Sequence, residues 1–136
     1  MFREAVPEPV WRLLLALSAL DTIRHSYLAG GTALALQLGH RISADLDFFM
    51  RDDEIRSAFL EEIKPLGMNA MVVGRTPDHL ELLIEAIKVD CLRERIALLF
   101  PLQTVACEGG KFQLADIRDI GRMKLHTIAS RGGKPK

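Results

Sequence analysis

The sequence predicts an α+β fold: a mixed β-sheet with helices packed on it. Three observations lead there. Helical and extended segments alternate through the first half of the chain. Three extended segments then follow one another with no helix between them. A last helix closes the chain. The 136 residues are 49% hydrophobic and 26% charged, the size and composition of one globular domain.

Taken in order, Pro9 opens a helix expected to run to Ile23, with Val10, Leu13, Leu14, Leu17 and Leu20 on one face. Tyr27-Leu28-Ala29 is a short extended segment. Gly30-Gly31-Thr32 reads as a turn leading into a helix from Ala33 to Leu38, which Gly39 stops. Asp45 to Met50 reads as a strand. Asp52 caps a helix from Asp53 to Lys64, with Ile55, Phe59 and Ile63 inward. Met68–Gly74, Leu80–Glu85 and Ile87–Leu92 form a meander. Glu85-Ala86 is a poor hairpin turn, so one long bent strand from Leu80 to Leu92 is the alternative. Val105 to Gln113 folds as a hairpin around Gly109-Gly110. Asp116 caps the last helix, whose inner face carries Ile117, Ile120 and Ile128.

Several function classes fall away. Eighteen basic and eighteen acidic side chains give a net charge of zero, so bulk charge announces no polyanionic partner. The balance is uneven, however: residues 111–136 carry 7 basic and 2 acidic groups. Cys91 and Cys107 make neither a disulfide framework nor a paired zinc motif. The apolar run from Leu13 to Leu20 is too short to cross a bilayer, and its flanks do not suit a signal peptide. A cytoplasmic protein without membrane attachment is expected. P-loop, dinucleotide-fingerprint and His-Glu-x-x-His patterns are missing, and Met50 stands where an EF-hand loop needs glycine.

Candidate chemistry concentrates between Leu28 and Phe49. Asp45 and Asp47, two apart on a strand, point to one face. Adjacent carboxylates repel, and a hard divalent cation such as Mg²⁺ relieves them. Two solvated aspartates on a sheet edge are the plainer alternative. Gly30-Gly31-Thr32 ahead of a helix offers free N–H groups and a helix dipole to an anion. His40, Arg41 and Ser43 lie between the two motifs, and Arg41 can fork onto a phosphate. In Ile87-Lys88-Val89-Asp90-Cys91, Lys88 and Asp90 face away from the apolar residues. Asp90 joins the aspartates if its strand lies beside theirs. Lys124 falls on the stripe of Ile120 and Ile128, with Arg131 beyond. It either snorkels to water or reaches a phosphate. His25, His79 and His126 show no ligand spacing and are read as structural or surface groups.

The run from Leu28 to Phe49 resembles the signature of the AbiEii/AbiGii nucleotidyltransferases, toxins of bacterial abortive-infection toxin–antitoxin systems within the DNA-polymerase-β-like superfamily. The matching parts are Gly30-Gly31-Thr32, the His40-Arg41-x-Ser43 insert, Asp45-x-Asp47 and Asp90. Lys124-Leu125-His126-x-Ile128-Ala129-x-Arg131 is similar to the family's following helix.

The resemblance implies a single domain with a minimal nucleotidyltransferase fold over residues 1–136. It implies transfer of NMP from an NTP to an acceptor hydroxyl on RNA, tRNA ends included, or on a protein. It assigns Asp45, Asp47 and Asp90 to Mg²⁺ or Mn²⁺ and catalysis. It gives Lys124 a catalytic part, and gives the nucleotide to Gly30, Gly31, Thr32, Arg41 and Ser43. A cognate antitoxin is the implied partner. The family's helix motif continues beyond the point where this chain reads Gly132-Gly133-Lys134-Pro135-Lys136. The expectation is therefore a chain lacking a C-terminal helical half, truncated or naturally minimal. A non-catalytic nucleotide- or partner-binding module is the rival reading.

Overall fold

The computed structural model describes residues 1–39, 43–51 and 53–132, without the side chains of Asp53 and residues 127–132. His40, Arg41, the proposed Asp52 cap and the side chains of Ile128 and Arg131 lie outside it. The elements are α1 (Glu8–Leu17), α2 (Asp21–Arg24), β1 (Tyr27–Ala29), α3 (Gly30–Leu38), β2 (Leu46–Met50), α4 (Asp53–Ile63), β3 (Ala70–Thr76), β4 (His79–Ile84), β5 (Ile87–Arg93), β6 (Gln103–Cys107), β7 (Gly110–Leu114) and α5 (Ile117–Gly132). The strands form one mixed sheet in the order β3-β4-β5-β2-β1-β7-β6. The β2–β5 and β1–β7 pairs are parallel, and the others are antiparallel.

The two faces of the sheet follow from strand alternation. Leu46, Phe48 and Met50 of β2 are buried, with Leu80, Leu82 and Ile84 of β4 and Val89 and Cys91 of β5. They share one core with Val10, Trp11, Leu13, Leu14 and Leu17 of α1 and with Phe59 and Ile63 of α4. Trp11 meets Phe112 of β7 edge-on, their centroids 6.3 Å apart. The opposite face of the β4–β5–β2 region carries polar side chains. No helix among the described residues is long and apolar enough to cross a membrane.

The first helix is shorter than its apolar stripe suggests. It ends at Leu17, and α2 begins only at Asp21. The cause is tertiary. β7 passes so close that a Cβ on Gly110 would lie 2.2 Å from the Ser18 carbonyl oxygen. Lys111 N–H donates to that same oxygen at 3.2 Å, which takes it from any helical partner. Leu20 is extended.

The single bent strand from Leu80 to Leu92 is not formed. β4 and β5 are an antiparallel hairpin closed by Ile84↔Ile87. Its turn residues Glu85 and Ala86 have φ of 51° and 63°, a mirror-image turn made without glycine. Asn69 holds it: Glu85 N–H donates to the Asn69 carbonyl at 2.8 Å, and Asn69 N–H donates to Glu85 Oε1 at 3.3 Å.

The last helix also departs from expectation. Ile120 is buried, but Ile117 is 39% exposed. The inward face instead includes Asp119, fully buried. Its carboxylate accepts the N–H groups of Leu99 and Phe100, at 3.0 and 2.9 Å, and an Arg122 N–H at 2.6 Å. Burial alone would raise its pKa, yet these donors hold it below the usual carboxylate range. The stretch between β5 and β6 is thereby pinned to α5.

Ala86→Gly should stabilise the protein by about 0.5–1 kcal/mol, because glycine removes the left-handed penalty of a Cβ and returns only part of it as unfolded-state entropy. Thermal and urea melts check this, and an unchanged or lower midpoint would show that Asn69 has already relieved the strain.

Candidate active site

The polar face is organised by strand register. Asp47 of β2 pairs directly with Asp90 of β5, and Asp90 pairs with Glu81 of β4. Ala29, the last residue of β1, pairs with Asp47 on its other side. Directly opposed residues project to the same face, so Asp47, Asp90 and Glu81 stand side by side. Asp45 precedes β2 rather than lying on it and is exposed. Its charge still acts on Asp47.

Helix α3 begins immediately after β1, so the Gly-Gly-Thr segment is its first turn rather than a separate turn before it. Ala29 occupies the cap position without a side-chain hydrogen bond to the helix. The first N–H groups of α3 are thus left for an outside acceptor. Gly30 has φ of 69°, and a Cβ there would lie 2.2 Å from Asp47 Oδ2. Only glycine allows the carboxylate to sit against the start of the helix. A Cβ on Gly31 would lie 3.0 Å from Ser43 Oγ. Thr32 Oγ1 is hydrogen-bonded to the Asp45 carbonyl and lies 3.0 Å from Ser43 Oγ. Thr32 therefore ties the segment carrying Asp45 and Asp47 to the glycine turn. Gly30, Gly31, Thr32, Ser43, Asp45, Asp47 and Asp90 are brought together as a group.

The two central carboxyls differ in environment. Burial, then the adjacent Asp90, pushes Asp47 up to about 7. Asp90 is nearly buried but has cationic or donor groups on both oxygens: His79 Nε2 lies 2.7 Å from Oδ1, and Lys88 Nζ lies 3.6 Å from Oδ2. Asp90 in turn holds the Lys88 ammonium above its usual range.

His79, read from the sequence as a structural or surface group, is half-exposed, and its Nε2 reaches Asp90 across the ladder. His79, Glu81 and Asp90 offer ligand atoms that all lie within 4.8 Å of one another. The signal was present in the sequence. Leu80, Leu82 and Ile84 alternate with His79, Glu81 and Leu83, the pattern that singled out Lys88 and Asp90 one strand later. Lys124 differs from expectation too. It is exposed, one turn beyond buried Ile120, so it does not continue an apolar stripe. Arg41 lies outside the described residues.

Comparison with known proteins identifies the family and the fold. A family model described as "Nucleotidyl transferase AbiEii toxin, Type IV TA system" matches residues 12–129. The chain belongs to this family. An uncharacterised protein of Aquifex aeolicus is 34% identical over 110 residues. That stretch is 79% of this AbiEii-family chain and 52% of the relative, so the chain spans about half the length of the curated relative it matches.

Among solved structures, a provisionally assigned nucleotidyltransferase of Thermotoga maritima superposes with a TM-score of 0.64 at 18% identity, covering 91% of this chain and 86% of that one. A structure of ANT(2″)-Ia in complex with adenylyl-2″-tobramycin gives 0.61 at 16% identity, covering 95% and 82%. These similarities show that the AbiEii-family chain has the nucleotidyltransferase fold.

The raised Asp47 carboxyl sets a pH dependence. The folded state holds that proton more tightly than the unfolded chain, so ionisation costs stability as pH rises from about 4 through about 7. Asp47→Asn should remove that decline. Urea midpoints between pH 4.5 and 8 measure it, and an undiminished slope in the variant would assign the titration to another group.

Proposed function

We propose that this chain transfers NMP from an NTP to an acceptor hydroxyl, on RNA (tRNA ends included) or on a protein. We further propose that it acts in the cytoplasm as the toxin of a toxin–antitoxin pair whose partner is a cognate antitoxin. The observation that carries this reading is the in-register Asp47–Asp90 pair set against the glycine start of α3. Carboxylates beside a helix N-terminus make no sense as an anion site alone, since the acids repel phosphate. They make sense when a divalent cation stands between the acids and the phosphates.

The donor set fits such an ion. Asp45, Asp47 and Asp90 offer hard oxygen ligands, and Asp47 carries a pKa near 7 that a cation would lower. They would hold Mg²⁺ or Mn²⁺. When bound, the ion neutralises charge developing on the transferred group. The chain's own residues do the rest. Backbone N–H groups at Gly30, Gly31 and Thr32 take the triphosphate, with Ser43, Arg41 and Lys124 assigned to the same anion. Asp90 accepts the proton of the acceptor hydroxyl as its oxygen attacks the α-phosphorus and the α–β bridging bond breaks, releasing pyrophosphate. Thr32 keeps Asp45 and Asp47 in place through the Asp45 carbonyl.

The test is transfer of label from α-labelled NTPs to total RNA or to a protein fraction, with Mg²⁺ or Mn²⁺. Wild type should label one acceptor class in a metal-dependent way, and Asp45→Asn with Asp47→Asn should lose about 100-fold or more. Nucleotide binding without transfer under any condition would favour the non-catalytic module. Transfer undiminished in the double variant would place the chemistry elsewhere.

A further inference from the structure

The polar face does not end at the three aspartates. β4 lies beyond β5 and adds His79 and Glu81 to the row, so the ligand-bearing surface spans three adjacent strands: β4, β5 and β2. We propose that His79, Glu81 and Asp90 form a second cation position, one strand over from the Asp45–Asp47 pair, and that its imidazole ligand makes it favour first-row transition ions, Mn²⁺ included, over Mg²⁺.

Three features support this. First, one imidazole nitrogen and two carboxylate oxygens converge within 4.8 Å of one another. Second, the two oxygens of Asp90 are differentiated. Oδ2 faces the Lys88 ammonium at 3.6 Å, while Oδ1 faces His79 Nε2 at 2.7 Å. A metal entering between Nε2 and Oδ1 replaces a shared hydrogen and leaves Lys88 where it is. Third, the ligands sit on two hydrogen-bonded strands and not on a loop: Asp90 is opposite Glu81, and Leu92 is opposite His79. Their spacing is therefore fixed by the ladder.

The ion preference follows from ligand chemistry. Mg²⁺ demands a near-ideal octahedron of oxygens and keeps much of its water. Imidazole nitrogen suits softer first-row ions, and affinity for such sites rises from Mn²⁺ upward along the series. Asp45 and Asp47 offer oxygen alone, so the two positions differ in which ion they favour. His79 is half-exposed, which leaves a route of entry from solvent.

The proposal rests on the nucleotidyl-transfer reading only for the use of the ion; binding can be measured without nucleotide or acceptor. Mn²⁺ alone is titrated into the full chain. Pulsed EPR reads nitrogen coupling to bound Mn²⁺, and NMR reads which imidazole it broadens. Wild type should show nitrogen coupling, with the His79 ring broadened first. His79→Gln should lose the coupling and weaken Mn²⁺ binding about 10-fold or more, while Mg²⁺ binding changes less than about 2-fold. Mn²⁺ bound with oxygen ligands only, or coupling that survives in His79→Gln, overturns the proposal. Should His79→Gln fail to fold, Glu81→Gln decides: a drop in Mn²⁺ affinity with coupling retained at saturation supports the site, and wild-type affinity overturns it. A chain that shows the coupling but never transfers nucleotide would keep the cation position and remove nucleotidyl transfer as its use.

Discussion

Two carboxylates in register on adjacent parallel strands are the constraint around which this molecule is arranged. A protein interior penalises one buried charge and penalises a like pair more. Asp47 and Asp90 nevertheless face each other across the β2–β5 ladder, and neighbouring elements answer the cost one by one. α3 starts against Asp47 with glycine, so the carboxylate meets backbone rather than a side chain. β4 brings His79 to Asp90, and β5 supplies Lys88 from its own alternation. Thr32 fixes the approach to β2. The sheet order places β2 and β5 side by side in its interior, so the acids stand on the far face of strands whose other side chains, Leu46, Phe48, Met50, Val89 and Cys91, are in the core.

This arrangement explains how much could be read beforehand. The mixed sheet, the meander and the last hairpin were legible because alternation and glycine positions are local signals. The closeness of Asp47, Asp90 and the glycine pair was legible because their residue types are unusual in that spacing, whereas Asp45 was placed on a strand it precedes and the glycines in a turn that is the start of α3. The break between α1 and α2 was not, since nothing in Ser18-Ala19-Leu20 demands it; it depends on Gly110, more than ninety positions away in the sequence. The Glu85-Ala86 turn was obscured by its composition, which is poor for the conformation it adopts and is rescued by Asn69. His79 was passed over because ligand spacing was sought along the chain, whereas the relevant neighbour lies across the ladder.

Asp119 shows the same limit in another form. In sequence it is one acid in the first turn of a helix, an ordinary dipole partner. In the fold it is a buried acceptor for two backbone N–H groups and an arginine, and it holds a connecting stretch that has no regular structure of its own. The apolar count gave no hint of this role. Among the described side chains of this helix, Asp119 and Ile120 are buried, Met123 is partly buried against the core, and Lys124, Leu125 and His126 are exposed.

The parallel pairing of β1 with β7 has a consequence for how the chain assembles. β1 is the earliest strand and β7 the latest, and β1 lies between β7 and β2. The β3–β4–β5 meander joins neighbours in sequence and can close early through short loops. The other half must bring distant segments together, and the entropy of closing such loops slows that step. Until β5 docks on β2, Asp47 and Asp90 are apart, each free to be solvated. A chain emerging from the ribosome therefore carries no in-register pair of acids until β5 has been made and has reached β2.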